Sequence, residues 1–361
     1  ARFKLGHSLQ LAGKNAAART AYAHALKADP KTPYRDQLYF ELGQVAYKER
    51  KLTIAGKSFR RLLKNHPRSE FAPQARFYLG VVESESGDFN RAADHFSALV
   101  RRHPDHRLAS EGEYRLAIAL KSAGKLEEAS EVLRQFRTRY PDDERLGIVR
   151  LEEAVAISKA GDPEKALHLL SELKESPSAA DYMTRILYET AWCYRALGRP
   201  EKAVESYTRI LDTPEIVATS SSPTETAESS TAVTPGFPSG TNVNQTVRIE
   251  LAELEFEQKN YKTAKRLLAK LAAEPKVKDA GATDSPGSRH TQGQQNQTVL
   301  YRLTWCHHML EDSDLVQTTF ARFEDQFPES ELYPELAYLA AKSYLRQDRI
   351  TEAGKLFKKV A

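Results

Sequence analysis

The residues best able to carry metal, redox or stacking chemistry are Trp192-Cys193, Trp305-Cys306 and the run Cys306-His307-His308. Neighbouring residues of a helix diverge by about 100°, so the Cys-His-His run does not converge on one ion as an i, i+4 pair would. His103 and His106 flank Pro104 in a turn and have no third ligand. No phosphate-binding P-loop, dinucleotide glycine fingerprint, G-x-S-x-G elbow or H-E-x-x-H motif occurs. Single Asp, Glu and His residues are scattered without a catalytic spacing. No catalytic residue, metal or cofactor is assigned, and the chain reads as a non-enzyme. What remains is a column of rings: Phe3, Phe40, Phe77, Tyr114, Leu151, Tyr188, Ile249, Tyr301 and Tyr338 recur in one register, and seven of the nine are aromatic. Rings in a row offer contact area and, for tyrosine and tryptophan, a polar edge.

The elements that must position this column follow from a repeat. Ala18, Ala55, Ala92, Ala129, Ala166 and Ala203 are each 37 residues apart. Ala264, Val316 and Ala353 continue the register once insertions of 24 and 15 residues are allowed. One helical turn after each small residue stands a large one: Tyr22, Phe59, Phe96, Leu133, Leu170, Tyr207, Leu268, Phe320 and Phe357. Small beside large is the pattern of knobs filling the space between closely packed helices. Gly13, Gly87, Gly124, Gly161 and Gly198 fall where a first helix should end and a second begin. Pro30, Pro67, Pro104 and Pro141 fall where the second should stop. Each unit, for example Tyr39–Pro67, is thus two helices back to back. Such a pair cannot bury its apolar side alone, and stacking the pairs buries a continuous core.

Leu42-Gly43, Ala55, Phe59 and Pro67, and again Leu79-Gly80, Ala92, Phe96 and Pro104, resemble the tetratricopeptide repeat signature. The family repeat is usually 34 residues. The extra length resembles repeats of bacterial cell-envelope proteins such as the outer-membrane assembly lipoprotein BamD and the Tol-Pal coordinator YbgF. The expected fold is all-α, a right-handed α-solenoid of about nine antiparallel helix pairs. Repeats one to six occupy 1–215, repeat seven 244–275, and repeats eight and nine 296–361, in one continuous stack. Residues 216–243, rich in Ser, Thr and Pro, and the polar residues 276–295 are predicted to be disordered loops, because neither buries enough apolar surface to order itself. Both are followed by Asn-Gln-Thr-Val, at 244–247 and 296–299, which reads as a helix start; Asn-Gln-Thr is also a glycosylation pattern.

By the resemblance, the first-helix face lines a concave groove for an extended peptide or a partner helix. The groove residues would be Phe40, Gln44, Tyr47, Phe77, Tyr114, Tyr188, Trp192, Tyr301, Trp305 and Tyr338. The alternative is that the rings pack against the neighbouring first helix and show only their edges. Some tetratricopeptide proteins clamp a terminal carboxylate with Lys and Asn. The matching sites here hold Phe40 with Gln44, Phe77 with Val81 and Tyr114 with Ile118, so that clamp is not expected. Two repeats separate Cys193 from Cys306 by roughly 40 Å at about 10 Å per helix layer, far beyond the span of a disulfide. Both should be small buried hydrophobes.

Basic and acidic residues interleave, and the net charge of +4 builds no field for nucleic acid or a membrane surface. No apolar run reaches the roughly 18–20 residues of a membrane span, so membrane contact would be indirect, through a partner or an anchor outside this stretch. The chain starts at Ala1 inside a helical pattern and ends inside another, as expected of a segment of a longer protein. The resemblance favours a periplasmic or cell-envelope setting. The expected role is a non-enzymatic scaffold in envelope assembly; the alternative is the recruiting part of a longer enzyme or transport-associated protein.

Overall fold

The computed structural model describes residues 2–29, 31–212, 243–273 and 286–360, leaving aside the side chains of Arg2 and of 286–294. Among them are eighteen helices and no strand. The first helices of the pairs are α1 Arg2–Leu11, α3 Arg35–Lys48, α5 Ala72–Glu85, α7 Ala109–Ser122, α9 Leu146–Lys159, α11 Ala179–Ala196, α13 Val243–Glu257, α15 Pro286–Met309 and α17 Tyr333–Arg346. The second helices are α2 Asn15–Ala28, α4 Leu52–Asn65, α6 Phe89–Arg102, α8 Leu126–Arg139, α10 Pro163–Lys174, α12 Pro200–Asp212, α14 Tyr261–Ala273, α16 Ser313–Gln326 and α18 Ile350–Val360.

The 37-residue register sets the packing. All nine small markers, from Ala18 to Ala353, have no exposed surface. The large residues one turn later are buried from Tyr22 through Phe320, and only Phe357, in the last pair, is half-buried. The first and second helices of a pair approach closely where glycine faces a ring. A Cβ on Gly43 would stand 2.4 Å from the Phe59 ring, and one on Gly80 would stand 2.7 Å from that of Phe96. In the fourth pair the knob is the smaller Leu133, and Ala117 fits beside it in the same core cluster.

Between the helices of a pair the chain turns through the left-handed region. Gly87 sits there with φ +81°, and the other predicted glycines do likewise. Asp88 and Asp162 then cap the following helices, accepting from the Arg91 and Lys165 amides at 3.1 and 3.0 Å. In four pairs a side chain occupies the left-handed place: Arg50, Lys259, Glu311 and Asp348, at φ of 60–64°. A Cβ in that conformation costs roughly 1–2 kcal/mol. Lys259→Gly is therefore expected to raise stability by about 1 kcal/mol, after glycine's own entropy is set against the relief; an unchanged urea midpoint would contradict this.

The described residues divide into two compact units, one ending at Tyr182 and the other beginning at Met183. Two sequence expectations change. The helix of repeat eight starts at Pro286, inside the segment 276–295 read as a loop. Proline suits the first position of a helix, and Gln292, Gln294, Gln295 and Gln297 favour helix against the cost of Gly287 and Gly293. Val243, assigned to the first insertion, is buried in the first turn of α13. Both Asn-Gln-Thr-Val tetrapeptides consequently lie within helices rather than capping them. The remainder of the two insertions, 216–242 and 276–285, lies outside the described residues.

Candidate functional site

Within each unit, first helices lie side by side and are joined by a recurring contact. A residue in the last turn of one first helix meets a residue near the middle of the next, 31 positions on in the uninterrupted register. Gln10 donates to Glu41 at 3.1 Å. The Tyr47 and Tyr78 rings lie 6.0 Å apart. Lys121 is paired with Glu152, both buried. Across the insertions the same places hold Arg195 paired with Glu250, and Phe256 beneath the Arg302 guanidinium at 4.7 Å.

In the first unit this contact and its surroundings absorb most of the predicted groove column. Phe40 and Phe77 are buried. Phe40 stacks on Phe71 at 5.2 Å, and Phe77 meets Phe96 edge-on at 5.9 Å. Gln44, Tyr47 and Tyr114 are half-buried. The Tyr47 hydroxyl donates to Glu85 at 2.5 Å; burial first, and then this bond, raise its pKa. Arg145 lies 5.8 Å over the Tyr114 ring.

The second unit differs. Tyr188 is buried and meets Tyr207 edge-on at 5.8 Å. One turn on, Trp192 is 43 % exposed, with the Arg195 guanidinium 5.2 Å above its ring. Tyr301 and Trp305 are half-buried, and the Tyr301 hydroxyl donates to Glu335 at 2.8 Å. Tyr338 is 48 % exposed, beneath Lys342 at 5.3 Å. Phe40, Phe77 and Tyr188 are thus buried, the last two against the second helix of their own pair, while Trp192 and Tyr338 keep 43 % and 48 % of their surface exposed.

Comparison with known proteins bears on the repeat itself. A tetratricopeptide-repeat profile matches residues 3–70, 40–106 and 82–144, and a second tetratricopeptide-repeat profile matches 185–214. The chain carries tetratricopeptide repeats. A crystal structure of a tetratricopeptide repeat protein from Parabacteroides merdae is similar in fold at 13 % identity, with a TM-score of 0.51, over 83 % of this chain and 97 % of that one. PilF of Pseudomonas aeruginosa is 16 % identical over 73 % of this chain and 96 % of its own, with a TM-score of 0.45. YrrB, described as a TPR protein with an unusual peptide-binding site, is 18 % identical over 53 % of this chain and 91 % of its own, with a TM-score of 0.42. No curated protein matches the chain.

The tetratricopeptide register also locates residues that the ring column missed. Met309 and Leu345, in the last turns of α15 and α17, are 45 % and 47 % exposed. They share the register of Lys48 and Tyr47, so the 37-residue period was the signal that could have found them. The cations above the exposed rings, Arg195 and Lys342, were likewise legible only as part of a helix face. Cys193 and Cys306 are both buried, as expected of packing residues; burial pushes the Cys306 thiol up to about 12. His307 and His308 are buried beside it, both held below the ordinary histidine range chiefly by desolvation. Among the described residues no three His, Cys, Asp or Glu side chains are grouped to hold a metal, and no helix is long and apolar enough to cross a membrane.

Proposed function

We propose that this chain is a non-enzymatic tetratricopeptide scaffold that holds a protein segment on the first-helix face of its second unit. The supporting observation is the exposure of two large rings on first helices of this unit: Tyr338, in the column where Phe40, Phe77 and Tyr188 are buried, and Trp192, one turn beyond that column. Large rings at the surface forgo burial worth about 25 cal/mol per Å², and exposed aromatic anchors are what peptide-binding faces use. Lys342 over the Tyr338 ring adds positive charge, which suits a segment that carries an acidic side chain beside its apolar ones near Tyr338, while Arg195 over Trp192 is balanced by Glu250. The 37-residue repeat supports a bacterial cell-envelope setting, with a role in envelope assembly, by its resemblance to the longer repeats of that compartment.

The test is selection of binding peptides from a displayed random library, followed by affinity measurement on variants. Trp192→Ala is expected to weaken the selected peptides tenfold or more at unchanged helicity, as loss of a tryptophan anchor does. Full affinity in both Trp192→Ala and Tyr338→Ala would remove the assignment to this face. Replacing Phe77 or Tyr188 would not test it, because those rings belong to the core.

A further inference from the structure

At the turn edge of the first unit, where each second helix ends, one contact recurs. A residue of the first helix faces the residue 27 places on that closes the second. The Tyr39 and His66 rings lie 6.4 Å apart in this way. Two repeats later Glu113 is the counterpart of Tyr39, and its carboxylate takes Arg139 at 2.6 Å, with Tyr140 beside it. In the repeat between them the same three places are Arg76, Arg102 and His103. An arginine stands where its neighbour has the carboxylate, so cation faces cation.

The charge is not neutralised from within. Among the described residues no carboxylate pairs with Arg76 or Arg102, and the Arg76 Nε is buried without a hydrogen-bond partner. Two acids of the same repeat are engaged elsewhere: Glu83 holds Arg60 at 2.7 Å, and Asp88 holds Arg91 at 3.3 Å. Asp94 adjoins His95 in sequence and partly offsets the cations around that imidazole. Burial, and then the Arg102 charge, lower the Arg76 pKa; burial, then Arg76 and Arg102, do the same to His103. His95 is lowered by burial and then by Arg76.

We propose that Arg76, Arg102 and His103, with His95 at the margin, bind a phosphate-type anion at the turn edge of the third repeat. Two guanidinium forks and an imidazole supply the planar, charge-assisted donors that such an oxyanion takes. The anion does for this repeat what Glu113 does for the next. The site lies on the turn edge rather than on the first-helix face, so it stands independently of the scaffold reading.

The experiment follows the His95 and His103 imidazole resonances of the whole chain while sodium phosphate is titrated in at constant ionic strength. Phenyl phosphate is run in parallel. Saturable shifts with phosphate, absent with sodium chloride, and a rise in the pH midpoint of His103 are expected. Equal affinity for the two ligands identifies the free ion, and tighter phenyl phosphate binding identifies a phosphomonoester on a small carrier. Arg102 is exposed, so Arg102→Gln leaves the fold intact and should weaken binding about tenfold, as loss of one charge-assisted contact does. Arg76→Glu rebuilds the pairing of the next repeat; it should abolish binding while raising the melting temperature. Identical shifts with phosphate and chloride, or wild-type affinity in both variants, would overturn the proposal.

Discussion

Phe59→Ala is expected to lower the free energy of unfolding by about 3–5 kcal/mol, the range for emptying a well-packed aromatic site. The ring is fully buried, stacks on Tyr78 at 5.7 Å and tilts against Phe40 at 6.1 Å. On its remaining side it presses on Gly43, which has no side chain to follow it inward. The space left by its removal therefore stays largely unfilled, and the void adds to the lost transfer energy. Phe357→Ala, in the same register but half-buried in the last pair, should cost clearly less. Urea unfolding of the two variants gives the comparison, and equal losses at both positions would refute the role assigned to the glycine contact.

Lys121→Met is the second large effect, with about 3–5 kcal/mol lost at neutral pH, as when one partner is removed from a buried ion pair. Glu152 is only 1 % exposed and would keep a carboxylate in the interior without its lysine. Replacing both, Lys121→Met with Glu152→Leu, should recover most of the loss, since the desolvation of both charges disappears together. The pH dependence has a definite sign. Protonation of Glu152 removes the buried charge that Lys121 no longer balances, so the penalty of the single variant is greatest at neutral pH and shrinks on acidification. Urea midpoints of the single and double variants should thus converge on acidification; a gap that stays constant with pH would exclude the ion pair as the cause.

Much of the fold was legible because one distance repeats. Ala55 and Phe59, read with their counterparts, located nine helix pairs. The close approach of small and large residues is a local requirement of helix packing that every repeat must meet. The start of α15 at Pro286 was hidden because its polar composition suits loop and helix alike, and composition alone cannot choose between them. The candidate site was legible as a column but not as a surface. Phe40 and Tyr338 occupy one register position, yet Phe71 and Tyr78 cover the first, whereas the second meets Phe357 edge-on and keeps 48 % of its surface in solvent. Exposure depends on what the neighbouring repeat supplies, and the periodic average removes that information. The placing of Arg76 and Arg102 shows the same limit: each is an ordinary surface-type residue until the register sets one charge against the other.

The contacts that join successive first helices have a consequence for how this chain can change. Gln10 with Glu41, Tyr47 with Tyr78, Lys121 with Glu152 and Phe256 with Arg302 fill the same place with different chemistry. A repeat copied to a new place would bring its own half of one joint to a neighbour holding half of another: Lys121 would meet Tyr78, or Glu152 would meet Tyr47. The alanines and large residues tolerate such shuffling, because they are alike in every copy. The joints tolerate it only in part: copies that hold Glu41, Glu152 or Glu250 can exchange and still offer an acid to Gln10, Lys121 or Arg195, whereas the copies that hold Tyr78 or Arg302 cannot.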